Sequence, residues 1–251
     1  MKAKHLSILS LFSACLAASL IAVAPMRGQD STMDSAQVAA AVELHFLAPD
    51  SVSAAALLAP PPLPDSSEQA ADMDEVQKVY HAASTNDVFT AYSEKKFSVF
   101  NFTSDIGAFF IETNLPKTTS FFKKVQRDAA AVTDAGKDYF KRPRPFVTDP
   151  SLANGKLEKS FSYPSGHSTE SMVLALVLAD LFPGQRDAII AHARAIGWRR
   201  VEIARHYPTD IYAGRTLAQA IVHQMKSNPQ FQKDLGRAKD EIAAVQTAAR
   251  N

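Results

Sequence analysis

Residues 163–184 read YPSGHSTESMVLALVLADLFPG. From 168 to 181 the stretch is almost wholly apolar, and it runs into Phe182-Pro183-Gly184, a helix-stopping sequence. A helix that is apolar all round has no face to offer water, so 168–181 is expected to be a central helix buried among others.

The neighbouring text supplies those others. Residues 185–204 are amphipathic, and 208–227 open with a proline in a first-turn position. Residues 231–250 close the chain with mixed charges and small apolar residues. Upstream, Asp65-Ser66-Ser67-Glu68 is a helix start whose apolar spacing continues to about Tyr80. Further helical patterns cover roughly 86–96, 104–112 and 116–139, while 142–164, with its Pro, Asn and Gly, reads as a loop. No internal repeat is visible. The expected fold class is all-α, a single-domain helical bundle spanning 65–251.

The chain has 251 residues, 46% of them hydrophobic. Lys and Arg number 27 against 26 Asp and Glu, a balance that argues against a basic nucleic-acid-binding surface and so against a nucleic-acid partner. Its 15 Phe and 6 Tyr argue against a disordered chain.

Residues 1–28 are expected to be a signal peptide. Lys2 and Lys4 precede an apolar run from about Leu6 to Val23 without an acidic residue, and Ala22-Val23-Ala24 has the small-x-small form. Pro25 disfavours a cut after Ala24 and moves the expected site towards Gly28. The protein is therefore expected in the periplasm or outside the cell, with a membrane partner only if the segment is retained. The one cysteine, Cys15, lies inside it, so the mature chain has no thiol chemistry. Residues 29–64 end in Ala59-Pro60-Pro61-Pro62-Leu63-Pro64, an extended proline-rich arm. It covers either the domain's own groove or a neighbour's, which leaves a homodimer open.

Three islands carry chemistry. The first contains Lys137, Lys141, Arg142 and Arg144, which on its own is an ordinary basic helix end. The second is Pro164-Ser165-Gly166-His167, where a helix start and a glycine make an anion cradle. The third runs from Arg200 to His206 and Asp210, whose spacing of four lets the carboxylate reach the imidazole and fix its tautomer. Together they describe an oxyanion of phosphate size held by cations between two imidazoles. Of the other histidines, His45, His81, His192 and His223 have no partner at useful spacing and read as surface or packing residues. Tyr163 reads as an entrance residue, Trp198 and Tyr207 as site wall.

The pattern K-x6-RP, PSGH, SR-x5-H-x3-D resembles the type-2 phosphatidic acid phosphatase (PAP2) superfamily, and most closely its class A bacterial nonspecific acid phosphatases. Here it is Lys137, Arg144-Pro145, Pro164-Ser165-Gly166-His167, Arg200, His206 and Asp210. Arg142-Pro143 does not fit, because Ala135 stands where its lysine belongs. The one departure is Arg199 in place of the family's serine, which places extra charge near the phosphate.

The resemblance implies the all-α bundle of the phosphatase and haloperoxidase type, and hydrolysis of small phosphomonoesters to inorganic phosphate. It implies His206 as nucleophile, Asp210 holding its other nitrogen, and His167 as acid to the leaving alcohol and base to water. Lys137, Arg144, Ser165, Gly166 and Arg200 would bind phosphate, with no metal and no cofactor. Three cations depress imidazole pKa values while phosphate raises them, so the expected rate profile is bell-shaped and highest below neutral pH. The same motif also fits a membrane-tethered lipid phosphate phosphatase or a vanadium-dependent haloperoxidase, and a phosphate-binding protein without catalysis is disfavoured by the retained His167, His206 and Asp210.

Overall fold

The structure, a computed structural model, describes residues 43–248. The expected signal peptide and the start of the arm lie outside these residues. No strand occurs among them, and the class is all-α. The helices are α1 (Ala54–Leu57), α2 (Ser67–Ala82), α3 (Thr85–Ser93), α4 (Thr103–Ile106), α5 (Pro116–Phe140), α6 (Pro145–Thr148), α7 (Gly166–Leu181), α8 (Arg186–Glu202), α9 (Pro208–Lys226) and α10 (Pro229–Ala248).

The apolar helix sits at the centre as its composition demands. α7 packs against α8, α9 and α5. Met172, Val173, Leu174, Ala175, Val177 and Leu178 are buried on every side of it. Its polar N-terminal turn is equally enclosed, because two glycines let the neighbours come close. A Cβ on Gly197 of α8 would lie 3.2 Å from Ser168 Cβ, and one on Gly214 of α9 would lie 2.9 Å from the Ser165 carbonyl. Either contact would force the neighbour to shift and would push the helix start out of place. Ser168 Oγ donates to the Ile211 carbonyl at 2.7 Å and ties α7 to α9.

α10 covers α5, while α2 and α3 cover α8. The described part of the arm belongs to this core: Phe46, Leu47, Ala54 and Leu58 are buried in it. Asp128 on α5 has no exposed surface and accepts from the backbone N–H groups of His45, Phe46 and Leu47 at 2.9, 2.7 and 3.1 Å. Three backbone donors on one buried carboxylate meet its charge without a cation. Tyr163 is buried rather than lining an entrance, and its hydroxyl donates to the Ala59 carbonyl at 2.6 Å.

Two expectations are corrected. The pattern at 104–112 is not a helix of that length. A 3-10 turn (Val99–Phe102) leads into the single turn α4, which ends at Gly107 with φ 135°, a conformation closed to other residues. The loop 142–164 carries two short helical turns, α6 and a 3-10 turn (Pro150–Leu152), because Pro145 and Pro150 occupy their first positions and pre-set φ.

Candidate active site

α5 stops at Lys141, which takes the left-handed conformation with φ 50°. The chain then reverses, and Arg142 and Arg144 turn inward, both buried. α7 begins at Gly166 with Ser165 as its N-cap, accepting from the Ser168 N–H. α8 ends at Glu202, and a tight turn through Ala204 (φ 52°) brings the N–H groups of Arg205 and His206 back to the Arg200 carbonyl at 2.8 and 3.3 Å. α9 follows with Asp210 in its first turn, held by the Tyr207 N–H at 2.9 Å.

These ends converge. The Ser165 N–H donates to the Asp210 carbonyl at 3.1 Å, and Lys137 Nζ would lie 3.3 Å from a Cβ on Gly166. Arg144 Nη1 lies 3.3 Å from His206 Nε2, and Arg200 and His206 both lie near enough to His167 to disfavour its charged form. All eight expected site residues are therefore gathered at the starts of α7 and α9.

The protonation of His206 follows from its neighbours. A guanidinium only donates, so Nε2 facing Arg144 presents its lone pair. The proton then sits on Nδ1, which is 3.3 Å from Asp210 Oδ2 and 3.3 Å from Ser162 Oγ. Burial, with Arg144 next, holds the His206 pKa down at about 3. Burial alone would raise the Asp210 pKa, but the His206 hydrogen bond and the Arg142 charge outweigh it and leave it below the usual range. The result is a neutral imidazole with a free ring nitrogen beside a fixed cation.

His167 is also driven towards neutrality, by burial first and then by Arg200 and His206. Its Nε2 is buried with no hydrogen-bond partner among the described residues, and so is Arg200 Nε. Such atoms call for an explanation, and an oxyanion between them would accept from Arg200 Nε and from His167 Nε2 once that nitrogen carries a proton. Burial lowers the Arg200 pKa to about 10, which still leaves it charged in any acidic or neutral solution.

Several groups at the site escaped the sequence reading. Arg142, set aside there, reaches Asp210 Oδ1 at 2.6 Å and Asp72 Oδ2 at 2.7 Å, and lies 3.9 Å over the Tyr207 ring. Ser162 donates to Asp210 Oδ2 at 2.5 Å. Glu158 places its carboxylate 3.1 Å from Arg200 Nη2 and 2.8 Å from Arg205 Nε, the second contact being an ion pair without hydrogen-bond alignment. His192 has partners after all, Asp105 at 2.6 Å and Glu94 at 3.9 Å, contributed by segments far off in sequence. Arg199 does not add free charge beside the phosphate cations, because Glu94 pairs with its guanidinium. For Arg142 the signal was available: two Arg-Pro pairs in succession leave one arginine over. For the others no spacing could have shown it.

The likenesses to known proteins fall on the same region. Residues 128–232 match the PAP2 superfamily. The chain is 34% identical over 140 residues to a protein of Providencia stuartii named non-specific acid phosphatase, covering 53% of this chain and 56% of that one. It is 28% identical over 203 residues to the non-specific acid phosphatase of Salmonella typhimurium, covering 77% and 81% respectively. It is also 38% identical over 84 residues to a lipid A 1-phosphatase of Rhizobium etli, covering 34% and 35%. The chain thus spans little more than half the length of the first of these relatives and a third of the last. With cations, cradle and histidines all falling inside the matched stretch, this chain carries a PAP2-superfamily domain over residues 128–232.

Proposed function

We propose that this protein is an exported, metal-independent acid phosphatase that hydrolyses small phosphate monoesters through a phosphohistidine, with broad specificity. The observation that carries the reading is the His206 ring, with its lone pair beside Arg144 and its proton towards Asp210.

In the first step His206 Nε2 attacks phosphorus, the N–P bond forms and the P–O bond to the leaving group breaks. His167 gives its proton to the departing oxygen. In the second step water attacks phosphorus, His167 takes a water proton, and the N–P bond breaks to release phosphate. Lys137, Arg144 and Arg200, with Ser165 and the Gly166 N–H, meet the charge spread over the equatorial oxygens. Asp210 steadies the positive charge that develops on His206.

The proton inventory favours acid. His167 is held neutral in the free protein, so the proton it donates must arrive with the substrate or be drawn on by substrate charge. A phosphate monoester has its second pKa near about 6, and below that it carries the proton itself. The rate is therefore expected to fall as pH rises through neutrality.

The test is hydrolysis of a chromogenic phosphomonoester at about pH 5–6 in EDTA, beside His206→Ala. Full activity in EDTA and a loss of at least about 10⁴-fold in the variant are expected. Activity that EDTA abolishes and Mg²⁺ or Zn²⁺ restores would overturn the metal-free reading, and an active His206→Ala would overturn the nucleophile. The likeness to a lipid A 1-phosphatase supports a second reading, a lipid phosphate phosphatase, which predicts turnover of lipid phosphates in preference to soluble esters.

A further inference from the structure

Arg199 occupies a position adjacent to Arg200, yet it serves a different partner. Its Nε donates to Glu94 Oε2 at 2.6 Å, and Nη2 donates to Glu94 Oε1, so the fork grips both carboxylate oxygens. Glu94 caps the C-terminus of α3 and is 6% exposed. Two helical turns earlier on α8, His192 faces the same carboxylate through Nε2 at 3.9 Å, and its Nδ1 is fixed by Asp105 Oδ2 at 2.6 Å. Burial would raise the Glu94 pKa, but the nearby His192 and the Arg199 hydrogen bonds and charge outweigh it and keep the group ionised. One buried carboxylate is thus clasped from two points on α8.

What the clasp holds is the segment that surrounds His167. Burial is the largest influence on the His167 pKa and lowers it, while the nearby backbone of Lys95 and Glu94 acts the other way. Phe97 packs on the same ring, with centroids 5.4 Å apart. A face packed in this way restricts how the ring can turn, and so where its nitrogens point. Of the two, Nε2 is the buried atom without a partner among the described residues. Serine at position 199 would be too short to grip both oxygens and would bring no charge.

We propose that Arg199 is a positioning residue for His167: by clamping Glu94 against α8, together with His192 and Asp105, it fixes the segment 94–97, whose Phe97 ring packs on His167 and holds its Nε2 towards the leaving oxygen. The inference rests on the acid role given to His167 above, and it adds a residue that acts through a distant segment rather than on phosphate.

The test compares kcat/KM for an alkyl phosphate and for 2,4-dinitrophenyl phosphate, because only the first needs a proton on its leaving oxygen, and kcat/KM reports the step that breaks that bond. His167→Ala, Arg199→Ser and Glu94→Gln are measured beside the unaltered protein. His167→Ala is expected to lose about 10²–10⁴-fold on the alkyl ester and far less on the activated one. Arg199→Ser should lose about 10- to 100-fold on the alkyl ester and under about 3-fold on the activated one, as a misaimed acid would. Glu94→Gln, which keeps shape and a hydrogen bond, should show the same split at smaller size, and inhibition by inorganic phosphate should be unchanged in both. Equal losses on the two esters in Arg199→Ser and Glu94→Gln, with the split intact in His167→Ala, would overturn this inference alone. Equal losses in His167→Ala would remove the acid role itself, and this inference with it.

Discussion

Around His206 every restraint is a buried side chain: Asp210 and Ser162 at Nδ1, Arg144 at Nε2, and behind Asp210 the arginine Arg142 shared with Asp72. Around His167 the restraint is one phenylalanine face, Phe97, on a segment held in turn by a clasp from α8. The first arrangement makes the ring's position inseparable from the stability of the fold. The second hangs a ring on a segment that can be loosened while the core stays intact. A nucleophile must be fixed against a phosphorus already gripped by cations, whereas an acid must meet leaving groups of different shape, and the two modes of support suit those two tasks.

Removing Arg142 is the strongest way to break this contrast. Arg142→Met leaves Asp72 and Asp210 buried without their cation, a loss of about 3–5 kcal/mol in urea unfolding. Because Asp210 would lose its place, kcat/KM should fall alike for alkyl and activated esters, unlike the split expected of Arg199→Ser. A loss below about 1 kcal/mol would show that the pair of carboxylates stands without Arg142, and that His206 is not tied to the fold as described.

The same contrast explains what the sequence could disclose. His206 and Asp210 lie four residues apart across a helix start, a separation at which two side chains must meet, so their pairing is readable. Lys137, Ser165, Gly166 and Arg200 each lie within a turn of a helix end, and apolar periodicity placed those ends within a residue or two, while Arg144 lies in the stretch read as a loop. The clasp is different in kind. Glu94 and Arg199 are 105 residues apart and His192 and Asp105 are 87 apart, and nothing local to either member marks it as paired. Arg199 was visible as a departure from a pattern, but its consequence depended on where α3 ended. The pattern at 104–112 failed for a local reason, since an apolar spacing cannot show that Gly107 will take a conformation no helix contains.

A smaller effect is expected at Glu158, whose carboxylate touches Arg200 and so shares a cation with the phosphate site. Glu158→Gln keeps a hydrogen bond to Arg200 and removes the competing charge. Inorganic phosphate should then inhibit more tightly, by about 3- to 10-fold, in line with a partly buried ion pair of about 1 kcal/mol. The effect belongs to the cradle and not to the acid, so both esters should gain alike in kcat/KM. An unchanged or weaker inhibition would mean that Glu158 shapes the cradle instead of competing for it.

The smallest effect concerns Glu170, one helical turn beyond Gly166. Burial pushes its pKa up from the ordinary 4.5 to about 7, against a Gln126 hydrogen bond and the Lys137 charge, while Asp134 adds to the rise. A raised carboxyl pKa means that the folded state holds the proton after the unfolded state has released it, so stability falls as pH rises from about 4.5 to about 7. Glu170→Gln removes that slope. The melting temperature of the variant minus that of the unaltered protein should therefore be near constant below about pH 4.5, grow through the window, and level off above about pH 7. His206, held at about 3, gives stability the opposite slope between about 3 and 6.5, but both proteins share it and the difference cancels it. Glu170 Oε1 and Lys137 Nζ would lie 3.5 and 3.3 Å from the same Cβ on Gly166, so the ionised carboxylate also opposes an anion there. Phosphate inhibition should accordingly weaken less steeply above neutral pH in Glu170→Gln than in the unaltered protein. A difference curve flat across the window would show that Glu170 ionises as freely folded as unfolded, and that the acidic preference of the site owes nothing to it.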